Sequence, residues 1–83
     1  MKNIPLPERS DAAFIRKLII AFFNENMHSD FHGKVLYKYV VTRLNKYIYP
    51  DTIFRMMRQL RQDYIINYTT VSIAKSLYHI LPK

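Results

Sequence analysis

The sequence has no cysteine, a single glycine and only six acidic residues in 83. Without cysteine there can be no disulfide bond, no thiolate metal site and no cysteine nucleophile. No apolar run approaches the roughly 20 residues of a membrane-spanning helix, because the longest, 18–23, has six. The N-terminal residues also lack the apolar core of a signal peptide. We therefore expect an intracellular protein, either cytoplasmic or associated with a nucleoid.

Groups that could perform catalysis are scarce. The acidic residues are scattered and offer no convergent pair, and one glycine cannot build a phosphate-binding loop. The three histidines lie away from any serine or threonine that they could activate. His28, Asp30 and His32 are suitable zinc ligands by chemistry, but they occupy a loop and have no evident fourth partner. We expect no enzyme activity, no metal and no cofactor.

The 13 basic residues are unevenly distributed. Residues 34–61 hold seven of them against one acid, a net charge of +6, whereas residues 1–33 hold four of each and are neutral. Excess positive charge often serves only solubility. Concentrated on two adjacent predicted helices, however, it is typical of a surface that binds a polyanion.

Apolar spacing predicts a first helix after a flexible N-terminal arm, residues 1–9. We expect it to begin at a cap, Ser10 or Asp11, and to end at about Asn26. Its buried face would consist of Ile15, Leu18, Ile19, Phe22 and Phe23. Phe14 and Ile20 extend beyond that face. They either complete a well-wrapped central helix or form a homodimer contact.

A second helix is predicted from about Lys34 to Asn45, after a polar loop in which Phe31 could anchor a very short strand. Its two sides differ in character. The apolar side carries Leu36, Tyr39, Val40 and Leu44, and the opposite side carries Lys34, Lys38 and Arg43. Three tyrosines are expected to be half-buried in the core, with base-stacking platforms as the alternative: Tyr39, Tyr47 and Tyr49.

The segment 50–62 predicts a third helix with a basic face. Its apolar residues fall at steps of four, three and four: Ile53, Met57, Leu60 and Tyr64. Pro50 suits the first turn of a helix, and Asp51 and Thr52 supply acceptors for the free N–H groups there. The residues off this stripe are expected to be exposed: Arg55, Arg58, Gln59 and Arg61.

Two strands are predicted after this helix, since residues 64–69 and 76–81 are rich in aromatic and β-branched side chains. The intervening residues 70–75 contain no glycine, proline or asparagine. A loose loop is therefore expected between the strands rather than a tight turn.

This order of elements resembles the winged helix-turn-helix family over roughly residues 10–82. Residues 52–61 resemble the recognition helix of that family, in which a threonine and an aliphatic residue come first, an arginine follows, and Arg-x-Leu-Arg comes last. Residues 63–68 are similar to its exit into the wing. The family usually has glycine at the position of Tyr64, so either Asp63 or Tyr64 adopts the left-handed conformation here or the helix ends differently. The link between the second and third helices also lacks the usual small turn residue.

The resemblance implies a mainly α fold with a small β-hairpin (α+β), three helices plus a C-terminal two-stranded wing in residues 10–83. It implies binding of double-stranded DNA by a small transcriptional regulator, with the third helix in the major groove. Base contacts are expected from Thr52, Arg55 and Gln59. Phosphate contacts are expected from Lys34, Lys38, Arg43, Lys46, Tyr49, Arg58 and Lys75.

Winged helices also serve as protein-binding modules. An adaptor or inhibitor of a nucleic-acid machine is therefore the alternative function. A domain of this size buries limited surface on DNA, so we expect a homodimer or a larger assembly.

Overall fold

The structure, a computed structural model, describes residues 9–83 as three helices and one three-stranded antiparallel sheet. The helices are α1 (Arg9–Glu25), α2 (Gly33–Leu44) and α3 (Pro50–Gln62). The strands are β1 (Asp30–His32), β2 (Asn67–Ser72) and β3 (Leu77–Leu81), in the order β1-β3-β2. The predicted arm, apart from Arg9 in α1, lies outside the described residues. None of the helices within residues 9–83 has the length and apolarity needed to cross a membrane.

One hydrophobic core joins all six elements. The five apolar residues predicted for α1 are all buried, and Phe31 of β1 packs between two of them, with its ring centre 5.1 Å from that of Phe22 and 5.5 Å from that of Phe23. The other elements, together with Ile66 between α3 and β2, contribute Leu36, Val40, Ile53, Met57, Leu60, Tyr68 and Ile80. Full burial of each aliphatic side chain contributes about 1.5–3 kcal/mol.

The two surplus apolar residues of α1 differ in position. Ile20 is half-buried and packs against the core, whereas Phe14 is 43% exposed. The helix also begins earlier than predicted, so Ser10 and Asp11 lie inside its first turn. Of these two residues, Phe14 is therefore the one available for contact with a second molecule.

Helix α2 ends at a left-handed residue that the sequence interpretation had missed. Asn45 has φ of 60°, and its N–H donates to the Val41 carbonyl at 2.8 Å. Asparagine tolerates this conformation better than most residues. Asn45 therefore makes the turn at the start of the link between α2 and α3, and the link has no small turn residue, as expected.

The end of α3 is a Schellman motif with tyrosine at the left-handed position. Tyr64 has φ of 62°. Its N–H donates to Arg61, and the N–H of Ile65 donates to Leu60 at 2.9 Å, which is the bonding pattern of that motif. The prediction that Asp63 or Tyr64 takes this conformation is confirmed. Tyr64 is 86% exposed, so its inclusion in the buried stripe was wrong.

The hairpin is displaced from its predicted position. Residues 64–66 belong to the helix end, and β2 runs from Asn67 to Ser72, with a bulge between Thr70 and Ser72. The loose loop predicted for 70–75 is wrong. A four-residue turn connects the strands, with the N–H of Ser76 donating to the Ile73 carbonyl at 3.1 Å and Ser76 itself at φ of 51°.

The sheet has three strands instead of the expected two. Asp30, Phe31 and His32 pair with His79, Tyr78 and Leu77 of β3. The short strand suggested at Phe31 is confirmed, but its place beside β3 was not foreseen. Through this pairing, β1 and β3 fix the start of α2 against the turn of the hairpin, where the Gly33 N–H donates to the Ser76 carbonyl at 2.8 Å.

Candidate nucleic-acid interface

Helix α3 buries one side and exposes the other. Ile53, Met57 and Leu60 are buried, as predicted. Thr52, Arg55 and Gln59 are exposed, and at 3.6 residues per turn they fall within about 60° of one another, outside the buried side. We call these three residues the outer face of α3. The structure thus brings together the three residues predicted to contact bases.

A carboxylate contacts the outer face near each end. Arg55 pairs with Asp51, one turn earlier, with a nitrogen–oxygen distance of 2.5 Å. The Gln59 amide donates to Asp63 at 3.2 Å. Both contacts are exposed, so they fix side-chain direction more than they contribute to stability. A guanidinium has five donors, and Asp51 leaves most of them available to a second acceptor.

Two predicted phosphate contacts, Lys34 and Lys75, border the same groove. This groove lies where the start of α2, the start of α3 and the hairpin turn meet, and its volume is about 430 Å³. Gly33 lies in its wall, and a Cβ atom there would approach the Phe54 ring to 3.1 Å. The glycine therefore permits close approach of α2, α3 and the turn, which sets the separation of the two lysines.

Arg58 lines a second groove, of about 600 Å³, between the C-terminal half of α3 and the hairpin. We call it the α3–hairpin groove. Arg61 lines it too, with its guanidinium 5.0 Å from the centre of the Tyr68 ring. Arg61 therefore lies on the hairpin side of α3 rather than on its outer face.

Three other predicted contacts are more dispersed. Lys38 is exposed on α2. Lys46 pairs with Asp11 of α1 at 2.7 Å, so its ammonium group is already shared with a carboxylate. Arg43 was expected on the same side of α2 as Lys34 and Lys38, and this was wrong. Its guanidinium stacks 3.6 Å from the centre of the Tyr39 ring, and Tyr39 itself packs edge-on against Phe22 of α1.

The tyrosines of the α2–α3 link are exposed. Tyr47 and Tyr49 make an edge-to-face contact at 5.3 Å, and the expected half-burial is wrong for both but confirmed for Tyr39. Tyr49 precedes α3, as its predicted phosphate contact requires. The link is anchored instead by Tyr37, whose hydroxyl donates to the Ile48 carbonyl at 2.8 Å. Burial raises the pKa of Tyr37, with a smaller contribution from Tyr47.

Of the residues weighed as zinc ligands, Asp30 contacts a histidine on a neighbouring strand. Asp30 and His79 lie directly opposite each other on β1 and β3, with Oδ1 and Nδ1 2.5 Å apart. Within residues 9–83 no group of three or more histidine or acidic side chains could hold a metal ion. The local chemistry is that of a cross-strand pair on an exposed sheet surface.

Sequence reasoning missed the residues that give the α3–hairpin groove its shape. Tyr64 was assigned to the core, and Thr70 and Ile73 to a loose loop, yet all three line the groove. The absent glycine at position 64 was the one available signal. Comparisons with protein-family models, curated proteins and solved structures gave no match.

Proposed function

We propose that this protein binds double-stranded DNA, as a small transcriptional regulator, through the outer face of α3. The observation that carries the proposal is the grouping of Thr52, Arg55 and Gln59 on the exposed side of a basic helix. An exposed α-helix fits the major groove, where arginine bonds guanine, a glutamine amide bonds adenine, and the threonine methyl contacts thymine.

The fold supports the same proposal. Helix α3 is basic and exposed, follows α2 after a short link, and is followed by a hairpin. This order is compatible with a winged helix-turn-helix domain, with β2 and β3 as the wing. Lys34 and Lys75 on either side of one groove, and Arg58 beside the hairpin, provide positive charge around α3. Such charges hold the phosphate backbone and set the orientation of the helix.

A mobility-shift titration on random duplex at several salt concentrations tests the electrostatic component. If about five basic residues contact phosphates, the logarithm of the binding constant should fall with the logarithm of salt with a slope of roughly −4 to −5. No retention of duplex at about 50 mM salt would reject DNA binding.

The base-reading role is tested by a pair of variants on a selected preferred site and on random duplex. Arg55→Ala should cost about 1–3 kcal/mol on the preferred site and far less on random DNA. Lys38→Ala should weaken both equally and reduce the salt slope by about one. Both side chains are exposed, so the melting temperature is the control for intact folding. Equal losses for Arg55→Ala on both duplexes would remove Arg55 as the base-reading residue.

A further inference from the structure

Apart from Arg58, which the proposed DNA contact also uses, the residues that line the α3–hairpin groove have no part in DNA binding by the outer face. The walls of the groove carry Arg58 and Arg61 on one side and Thr70 and Ile73 on the other, with Tyr64 beside them. Ile73 is 87% exposed at the hairpin turn. Ile73 and Tyr64, which is 86% exposed, thus place two large apolar side chains in water beside the same groove.

The cationic groups of the groove are not neutralised by the protein. Arg55 has Asp51 as its partner, but no carboxylate within residues 9–83 pairs with Arg58 or Arg61. None of the residues that line the groove is acidic. A ligand that enters it therefore meets two guanidinium groups that favour carboxylates.

The free edge of the sheet lies along this groove. The Ile80 N–H donates to Ser29, on the β1 side of β3, at 2.8 Å. Because backbone groups alternate in direction in antiparallel pairs, His79 then faces β2 and bonds its partner Thr69. The N–H and C=O of Thr70, the next residue, consequently point away from β3. Within residues 9–83 no strand lies on that side of β2, and Thr70 is exposed.

Tyr64 supplies a further argument. The left-handed backbone conformation is energetically unfavourable for a residue with a large side chain. Such a residue persists there only where the surrounding structure holds it. Here the ring contributes little to the core, because it is almost fully exposed. It does line the α3–hairpin groove and a smaller adjoining cavity that also contains Arg61 and Lys83.

We propose that the α3–hairpin groove binds an extended acidic peptide segment of a partner protein. The segment lies along the free edge of β2, with its backbone hydrogen-bonded to Thr70 and its carboxylates on Arg58 and Arg61. Tyr64 and Ile73 contact its apolar side chains. In this mode backbone bonds hold the peptide in register, and its alternate side chains determine specificity. The proposal goes beyond duplex binding and uses a different side of α3.

Fluorescence anisotropy with a labelled eight-residue peptide of alternating glutamate and valine tests the charge component. The same peptide with glutamine in place of glutamate should bind about tenfold more weakly. Arg61→Glu should weaken the acidic peptide to a similar extent. Arg55→Glu makes the same change of charge on the outer face, and it should leave peptide binding nearly unchanged while it removes duplex binding. Equal losses for the two variants would overturn the assignment of the groove.

The backbone component is tested at Thr70. Thr70→Pro removes the outward N–H and leaves the bonds of Thr69 to β3 in place, whereas Thr70→Ala keeps that N–H and is the matched control. Weaker peptide binding by the proline variant alone supports strand addition, and equal binding by the two folded variants overturns it.

A second measurement does not depend on the folding of the proline variant. The wild-type protein is titrated with two peptides that are N-methylated either on all valines or on all glutamates. One of the two should lose binding, because alternate N–H groups of a strand face the same side. If both peptides bind as the parent does, or neither binds, strand addition is wrong.

An eight-residue thymidine oligonucleotide separates peptide binding from single-stranded DNA binding in the same groove. The peptide should bind more tightly than the oligonucleotide in the wild-type protein. Tighter oligonucleotide binding that depends on Arg61 would overturn the proposed occupant. Because duplex binding is measured on Arg55 variants, failure of this proposal and failure of the proposed function give different results.

Discussion

The Arg55 guanidinium lies 2.5 Å from the Asp51 carboxylate, one helical turn earlier on α3. The side chain proposed to contact bases is thus held by the only acidic residue in the basic segment 34–61. The pair directs Arg55 along the helix axis and reduces the positive charge of the outer face.

Removal of that acid should strengthen binding to random duplex. Asp51→Asn deletes a negative charge close to the phosphates, and the expected gain is about twofold to fivefold at low salt. Glu25→Gln, on α1, makes the same change of net charge away from α3 and is the control. Mobility shift with random duplex is the measurement. An equal gain in both variants would show that only total charge matters.

Replacement of Tyr64 with glycine should stabilise the folded domain. Glycine adopts the left-handed conformation without the steric cost that a tyrosine has. Its greater backbone entropy in the unfolded chain offsets part of this advantage, so the net gain in unfolding free energy is about 0.5–1 kcal/mol. Tyr64→Ala removes the ring but keeps the Cβ atom, and it should give no such gain. Urea unfolding of the three proteins compares their free energies. A loss of stability in the glycine variant would mean that the exposed ring contributes to packing.

Stability should decline at high pH partly because of Tyr68. Burial raises the pKa of its phenol, an effect that the nearby Arg61 partly offsets. An unfolded chain releases this proton near pH 10, whereas the folded chain retains it, so the contribution is present below about pH 10 and is lost as pH rises above it.

Tyr68→Phe should therefore show a shallower fall of unfolding free energy above about pH 10 than the wild-type protein does. Tyr64→Phe removes an exposed hydroxyl instead and is the control for loss of a tyrosine hydroxyl. Urea unfolding at a series of alkaline pH values makes the comparison. Identical alkaline curves for Tyr68→Phe and the wild type would exclude this contribution.

A homodimer, if it forms through α1, should depend on Phe14. This side chain is 43% exposed, and Phe14→Lys should give folded monomers. Ile20 is a poorer test, since it packs against the core and a charge there would destabilise the fold. Sedimentation at high micromolar concentration measures the association. A wild-type protein that sediments as a monomer under these conditions would rule out the dimer.

Much of the helical framework could be predicted from residue spacing. The steps from Ile53 to Leu60 give one buried side of α3, and Pro50 marks its start, because both signals are local in the chain. The grouping of Thr52, Arg55 and Gln59 followed from the same periodicity.

The larger errors arose where contacts between segments distant in the chain determine the structure. A three-residue strand with one buried side chain, Phe31, carries too little pattern to reveal that it pairs with β3. The error at Arg43 was local, because Arg43 comes four residues after Tyr39 on the same helix, and helix periodicity places it beside that ring and away from Lys34 and Lys38. The α3–hairpin groove depends on where the hairpin begins, and the left-handed turn at Tyr64 moves that start to Asn67.

The central position of β3 has a consequence for how the domain folds. It lies between two strands that both precede it in the chain, and Asp30 meets His79 across 49 positions. During synthesis the three helices can form while β1 and β2 still have no partner. Closure of so long a loop is entropically costly and slows folding. The sheet can therefore assemble only after residues 77–81 have left the ribosome. The contact between the hairpin turn and α2 forms with it.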